Sequence, residues 1–203
     1  MSIFPIIPLG NTFVGATYHA AKVFNDDFCD RVMKLIKEDA WVQAGTEDLK
    51  AKSKQQVKKE WRRTQIQALM PEEQTSFPYP WLGQAIRQFN NEVWRYELSG
   101  FNLSTDIPSI MKYEDKNKGF YDWHIDIMRT MPTRKLAFSL LLNDGYTGGQ
   151  LEFVHANEPL INKLEQTKGT LIVFPSWVRH RVTPVTKGTR YALVGWMHGP
   201  SFV

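Results

Sequence analysis

The chain reads as an α+β protein, mainly β: a β-sandwich or jelly roll with N-terminal helices packed on one face. Three observations predict this. Two amphipathic helical patterns lie in the first half. After Gly100 the texture changes to short apolar or alternating runs of strand length. Turn residues punctuate those runs at Asn143-Asp144-Gly145, Gly148-Gly149, Lys168-Gly169, Pro175-Ser176 and Lys187-Gly188. Many short strands at such spacing belong to two-layered β folds. The expectation is one domain over 1–203, with helical support over about 1–99 and the β core over about 100–198.

The elements follow in order. Ile3 to Leu9 is apolar, but it lacks a basic leader and is broken by Pro5 and Pro8. It is read as an edge strand or extended arm rather than a secretion signal. Asn25-Asp26-Asp27 offers capping residues, and Phe28, Val32, Leu35 and Ile36 follow at helical spacing. A second helix is expected from near Pro80 to Tyr96, because Trp81, Ala85, Phe89 and Val93 recur every four residues. Seven strands are then expected: Ile107–Tyr113, Phe120–Asp126, Leu136–Asn143, Gln150–His155, Thr170–Phe174, His180–Val185 and Arg190–Met197.

Composition removes several function classes. The chain has 203 residues with one cysteine, Cys29, so thiolate zinc and iron–sulfur sites are excluded. A metal would have to be held by His and carboxylate, which puts the five histidines under scrutiny. No run of 18 apolar residues occurs, so no membrane helix or membrane partner is expected, and the expected location is cytoplasmic. The net charge of +4 is local: Lys50 to Arg63 carries seven basic residues and one acid, Glu60. That segment alone is +6, and the rest of the chain sums to −2. It reads as a solvated face or as a lid over an active-site mouth.

His124-Ile125-Asp126 is an H-x-D on an expected strand. Side chains at i and i+2 of a strand share a face, so an imidazole and a carboxylate converge. His180 opens another strand 56 residues later. Two His and one carboxylate on one face of a metal make the facial triad of non-haem Fe(II) oxygenases. By itself an H-x-D is common, and its neighbours give it weight. Arg190 follows His180 by ten residues in an almost wholly apolar strand. A buried guanidinium requires an anion, either a captured carboxylate or a structural Asp or Glu. Tyr113 precedes His124 by eleven residues and could donate to the same carboxylate or serve as a core tyrosine; Tyr121 competes with it.

The ordered set Tyr113, His124-Ile125-Asp126, Gly148-Gly149-Gln150-Leu151, Phe174-Pro175-Ser176-Trp177, His180-Arg181-Val182-Thr183-Pro184-Val185 and Gly188-Thr189-Arg190-Tyr191 resembles the iron(II)/2-oxoglutarate dioxygenases of the prolyl 4-hydroxylase type. It is most similar to their short bacterial and phage-encoded members, over about residues 100–198. The resemblance implies a double-stranded β-helix, with Fe(II) on His124, Asp126 and His180 and 2-oxoglutarate on Arg190. It implies hydroxylation of a substrate C–H by O2, peptidyl proline being one such substrate, with release of succinate and CO2. Ascorbate often supports iron reduction in that family. One departure stands out. Some prolyl hydroxylases carry a co-substrate tyrosine on the strand after H-x-D, where this chain reads Leu140-Leu141-Leu142. Tyr113 gains importance in consequence.

Three substrate classes stay open: a peptide or protein, a free amino acid or small metabolite, and a nucleobase. A nucleic-acid partner is disfavoured because aromatics are not interleaved with the basic run. A cupin-like metal-binding sensor without turnover is the non-enzymatic alternative. His19 and His155 fit no ligand spacing, His198 reads as a terminal residue, and Trp177 and Trp196 read as packing near the metal mouth.

Overall fold

The computed structural model describes residues 17–45, 61–155, 158–160 and 166–202. The Ile3–Leu9 arm and residues 50–60 of the basic segment lie outside the described residues. In chain order the elements are β1 (His19–Lys22), α1 (Asp26–Met33), β2 (Val42–Gln43), β3 (Arg62–Arg63), β4 (Gln65–Ala68), α2 (Tyr79–Val93), β5 (Ser109–Glu114) and β6 (Phe120–His124). There follow β7 (Arg134–Leu141), β8 (Thr147–Gly148), β9 (Leu151–His155), β10 (Glu158–Leu160), β11 (Thr170–Pro175), β12 (His180–Val182), β13 (Val185–Lys187) and β14 (Thr189–His198).

The strands form a seven-stranded sheet, ordered β1-β11-β7-β14-β5-β4-β2, and a five-stranded sheet, ordered β10-β9-β12-β6-β3. β8 and β13 pair separately. All seven expected strands are present, with ends shifted by at most three residues. The two sheets are the layers of the expected jelly roll. The first 99 residues do more than provide helical support, since β1 to β4 extend both sheets. Three of these four strands lack an apolar run, and β2 and β3, at two residues each, are too short to show a period.

Strand alternation sorts the core into two halves. From β7, Leu136, Phe138 and Leu140 face the helices with Leu82, Ile86 and Phe89. Ala137 faces the second sheet with Met111, Phe153 and Phe174. β14 follows the same rule: Leu193 and Met197 join the helical side, while Arg190, Val194 and Trp196 line the space between the sheets. Strands covered on both faces read as continuous apolar runs.

Both helices stop short of their sequence patterns. Asn25 caps α1 by accepting from Phe28 N at 2.9 Å. Beyond Met33 the chain tightens, with Leu35 N donating to Val32 O and Ile36 N to Met33 O, both at 3.1 Å. Leu35 and Ile36 still pack on the core. α2 ends at Val93 because Asn90 takes the backbone of Tyr96: its Nδ2 donates to Tyr96 O at 2.8 Å and its Oδ1 accepts from Tyr96 N at 2.9 Å. Trp81, expected on the buried face, is 45% exposed at the rim of that helix.

Candidate metal and co-substrate site

His124 is the last residue of β6 and pairs across the sheet with His180, the first of β12. Asp126 lies past the strand end, so simple alternation does not aim it. It is aimed by the turn at Ser176, whose carbonyl accepts from Asp126 N at 2.9 Å and Ile127 N at 3.0 Å. The convergence expected of H-x-D is present, but strand geometry supplies only its first member.

The ligand atoms of His124, Asp126 and His180 all lie within 4.8 Å of one another. Asp126 Oδ1 is 3.7 Å from His124 Nε2, and Oδ2 is 3.6 Å from His180 Nε2. These gaps are too long for hydrogen bonds and short enough for one ion to span. Each imidazole spends its other nitrogen on the backbone. His124 Nδ1 donates to Asp122 O at 2.6 Å, and His180 Nδ1 donates to Val178 O at 2.9 Å. These bonds fix the tautomer, leaving each Nε2 with its lone pair facing the aspartate. Burial, then the neighbouring His180, holds the His124 pKa well below that of an ordinary histidine, which favours the neutral, metal-binding imidazole. The Tyr121 ring stacks on His124 at 3.5 Å between centroids. Burial pushes the Tyr121 phenol up to about 12, so it stays protonated.

The three donors face a cavity of about 400 Å³ between the sheets. Arg190 and Tyr113 line the same cavity and are direct partners across the β14–β5 pair. Arg190 is 1% exposed, and its Nε, Nη1 and Nη2 have no hydrogen-bond partner among the described residues. A lone buried guanidinium costs several kcal/mol unless an anion arrives. This bears on the two readings of Arg190: no Asp or Glu among the described residues pairs with it. The Tyr113 ring lies 5.3 Å from its Cζ. Gly149, at φ +62°, makes room for the arginine stem, because a Cβ there would sit 2.9 Å from Arg190 Cδ. The residues fit both expected groups: two neutral imidazoles and a carboxylate for Fe(II), and a buried, unpaired fork for a carboxylate of 2-oxoglutarate.

The roles of four residues at or beside the site, Arg134, Asp106, His198 and Arg62, escaped sequence reasoning. Arg134 donates to Asp106 through Nε (2.7 Å) and Nη2 (2.6 Å), and through Nη1 to the carbonyl of Asp126 (3.0 Å). His198 is not a loose terminal residue: it is buried, with Nε2 3.1 Å from Asp106 and Nδ1 3.0 Å from Thr133 Oγ1. This network clamps the backbone of Asp126, a candidate metal ligand. The one available signal was Arg134 at the head of a mainly apolar strand. Arg62, placed by its sequence in a solvated or lid segment, is instead buried on β3 and lines the cavity. Trp177 is 45% exposed and donates to Tyr96 Oη at 3.4 Å, while Trp196 lines the cavity under Arg134, 3.5 Å from ring to Cζ. His19 packs edge-on against Phe89 and is not part of the candidate ligand group.

Residues 108–198 match the model of the 2OG-Fe(II) oxygenase superfamily. A PKHD-type hydroxylase of Synechococcus sp. (strain CC9311) is 34% identical over 109 residues, covering 52% of this chain and 49% of that protein. Another, from Teredinibacter turnerae, is 37% identical over 90 residues, covering 40% of this chain and 39% of that protein. The chain spans about half the length of the curated relatives it matches or less. Among solved structures, a Pseudomonas putida prolyl-4-hydroxylase superposes with a TM-score of 0.67 at 24% identity, over 90% of this chain and 93% of that one. A Trichoplax adhaerens prolyl hydroxylase, in complex with a hypoxia inducible factor oxygen degradation domain peptide fragment, gives 0.70 at 16% identity, over 90% and 83%. These structures share the fold. Fold, candidate triad and matched segment coincide on one stretch of sequence: residues 108–198 match the 2OG-Fe(II) oxygenase superfamily model and hold His124, Asp126 and His180.

Proposed function

We propose that the protein is an Fe(II)- and 2-oxoglutarate-dependent dioxygenase that hydroxylates a C–H bond, with a peptidyl residue such as proline as the leading substrate. The observation that carries this reading is Arg190, a guanidinium without a partner inside the cavity that also holds His124, Asp126 and His180.

In this reading His124 Nε2, Asp126 and His180 Nε2 would hold Fe(II), which would supply the site for the 2-oxo acid and O2. Arg190 receives the distal carboxylate of 2-oxoglutarate through its planar fork. Tyr113, beside it on β5, donates its hydroxyl to that carboxylate. The bound iron and co-substrate supply the oxidising power: 2-oxoglutarate gives succinate and CO2, and one oxygen atom of O2 enters the substrate C–H bond. Phe174, Leu151 and Val182 wall the cavity and limit water near the reacting atoms. Arg134 and Asp106 keep Asp126 in register. Ascorbate as an iron reductant, and a cytoplasmic location, belong to the same proposal. No helix of the described residues is long and apolar enough to cross a membrane. The prolyl hydroxylases among the structural neighbours favour a peptidyl substrate over a metabolite.

The test is oxygen-dependent conversion of 2-oxoglutarate to succinate by purified protein with Fe(II), with and without proline-containing peptides. Succinate above a no-iron control, increased by a peptide, is the expected result. Iron bound without succinate from any peptide, metabolite or nucleic-acid panel would favour the sensor reading instead.

A further inference from the structure

The cavity holds a cation that the proposed chemistry leaves unbalanced. Arg62, on β3 of the five-stranded sheet, is 9% exposed and reaches across to β5 of the other sheet. Its Nη1 donates to Gly45 O at 3.2 Å, and its Nη2 faces Met111 Sδ at 3.1 Å. Its Nε is buried with no partner among the described residues. A thioether is a weak acceptor, so the Nε–Nη2 edge of this fork has no strong one. No carboxylate pairs with Arg62 among the described residues. Its Cζ sits 4.3 Å over Tyr121, the ring that stacks on His124, which puts the guanidinium one ring from the candidate iron site.

The charges of the cavity then decide what is missing. Arg134 is neutralised by Asp106. Fe(II) and Arg190 together balance Asp126 and the two carboxylates of 2-oxoglutarate. Among the described residues Arg62 remains as a single positive charge away from bulk water, a costly arrangement until one negative charge arrives. A neutral amide carbonyl would satisfy a hydrogen bond but not the charge, and a phosphate dianion would overshoot it. A planar monoanion matches both the fork and the charge.

We infer that Arg62 is the specificity-determining residue of the primary-substrate pocket and recognises a carboxylate on the substrate, close to the carbon that is oxidised. The inference rests on the iron and 2-oxoglutarate reading of the cavity. The carboxylate has two sources: the side chain of an acidic residue in a peptide substrate, which keeps the peptidyl reading, or the α-carboxylate of a free amino acid, which would replace it.

Calorimetric titration of anaerobic Fe(II)- and 2-oxoglutarate-loaded protein tests this with three probe sets: free L-amino acids, their α-carboxamides, and N-acetylated, C-amidated Asp and Glu. At least one carboxylate probe binds, its amide counterpart binds about tenfold more weakly or worse, and Arg62→Gln loses about tenfold while Arg62→Lys recovers part of the loss. Binding in the first set identifies a free amino acid, and binding in the third an acidic peptide side chain. The inference is overturned if no carboxylate binds, if amides bind equally well, or if Arg62→Gln binds like the wild type. The 2-oxoglutarate affinity of each variant, read in the same instrument, separates the failures. Loss of that affinity in wild-type protein defeats the underlying reading, whereas its retention without carboxylate binding defeats Arg62 alone. A purely structural role for Arg62, backing Tyr121 and His124, would weaken iron and 2-oxoglutarate binding without discriminating carboxylate from amide.

Discussion

Replacing Arg190 by methionine should move stability and affinity in opposite directions. In the protein without co-substrate, Arg190 is a 1%-exposed charge whose three guanidinium nitrogens lack partners among the described residues. Methionine keeps much of the stem volume along Gly149 and removes the charge. Replacing buried ionic groups with apolar ones of similar size stabilises by about 1–4 kcal/mol. At about 2 kcal/mol, a chain of this length melts roughly 4–8 °C higher. The same change leaves the distal carboxylate of 2-oxoglutarate without its counter-ion in a buried site, at a cost of about 3 kcal/mol or more. That cost corresponds to a loss of roughly 150-fold or more in affinity. The assay is calorimetric melting of apo protein, followed by anaerobic titration of the Fe(II) form with 2-oxoglutarate. A variant that melts lower and binds 2-oxoglutarate normally would refute the reasoning, because Arg190 would then be a satisfied structural residue.

The remaining predictions concern the supports of the site and the first helix. Arg134→Gln leaves buried Asp106 with His198 in place of its guanidinium partner and releases the Asp126 carbonyl; unfolding titration should register a loss of about 3 kcal/mol, and iron titration a drop of roughly 10–100-fold. Gly149→Ala forces a Cβ to 2.9 Å from Arg190 Cδ, so the 2-oxoglutarate KM should rise with iron affinity little changed; an unchanged KM would remove Gly149 from the co-substrate pocket. Asn25→Ala deletes the cap of α1, and chemical denaturation should show a loss of about 1 kcal/mol without change in the iron site.

The two-layered β fold was legible because strands covered on both faces, such as β7, β11 and β14, announce themselves as apolar runs. β2 and β3 were not, since two residues carry no period and their place is set by neighbours far along the chain. The candidate triad was legible because an H-x-D carries its spacing in the sequence. What aims Asp126 was hidden, because Ser176 and Arg134 reach it through backbone contacts that no side-chain pattern encodes. Arg62 was misplaced for the opposite reason. It lies near the end of a lysine-rich run whose average character is solvated, while pairing with β6 turns this residue inward. Asp106, Arg134 and His198 lie 28 and 64 residues apart in sequence and meet only in the folded chain.

The central claim is that His124, Asp126, His180 and Arg190 form one site for Fe(II) and 2-oxoglutarate together. Anaerobic titration, followed by the visible charge-transfer band of Fe(II) chelated by a 2-oxo acid, tests it most directly. The account predicts one Fe(II) and one 2-oxoglutarate per chain, with the band lost in His124→Ala and its half-saturation shifted to much higher 2-oxoglutarate in Arg190→Met. A band of the same intensity and midpoint in both variants, or no band in the wild type, would contradict it.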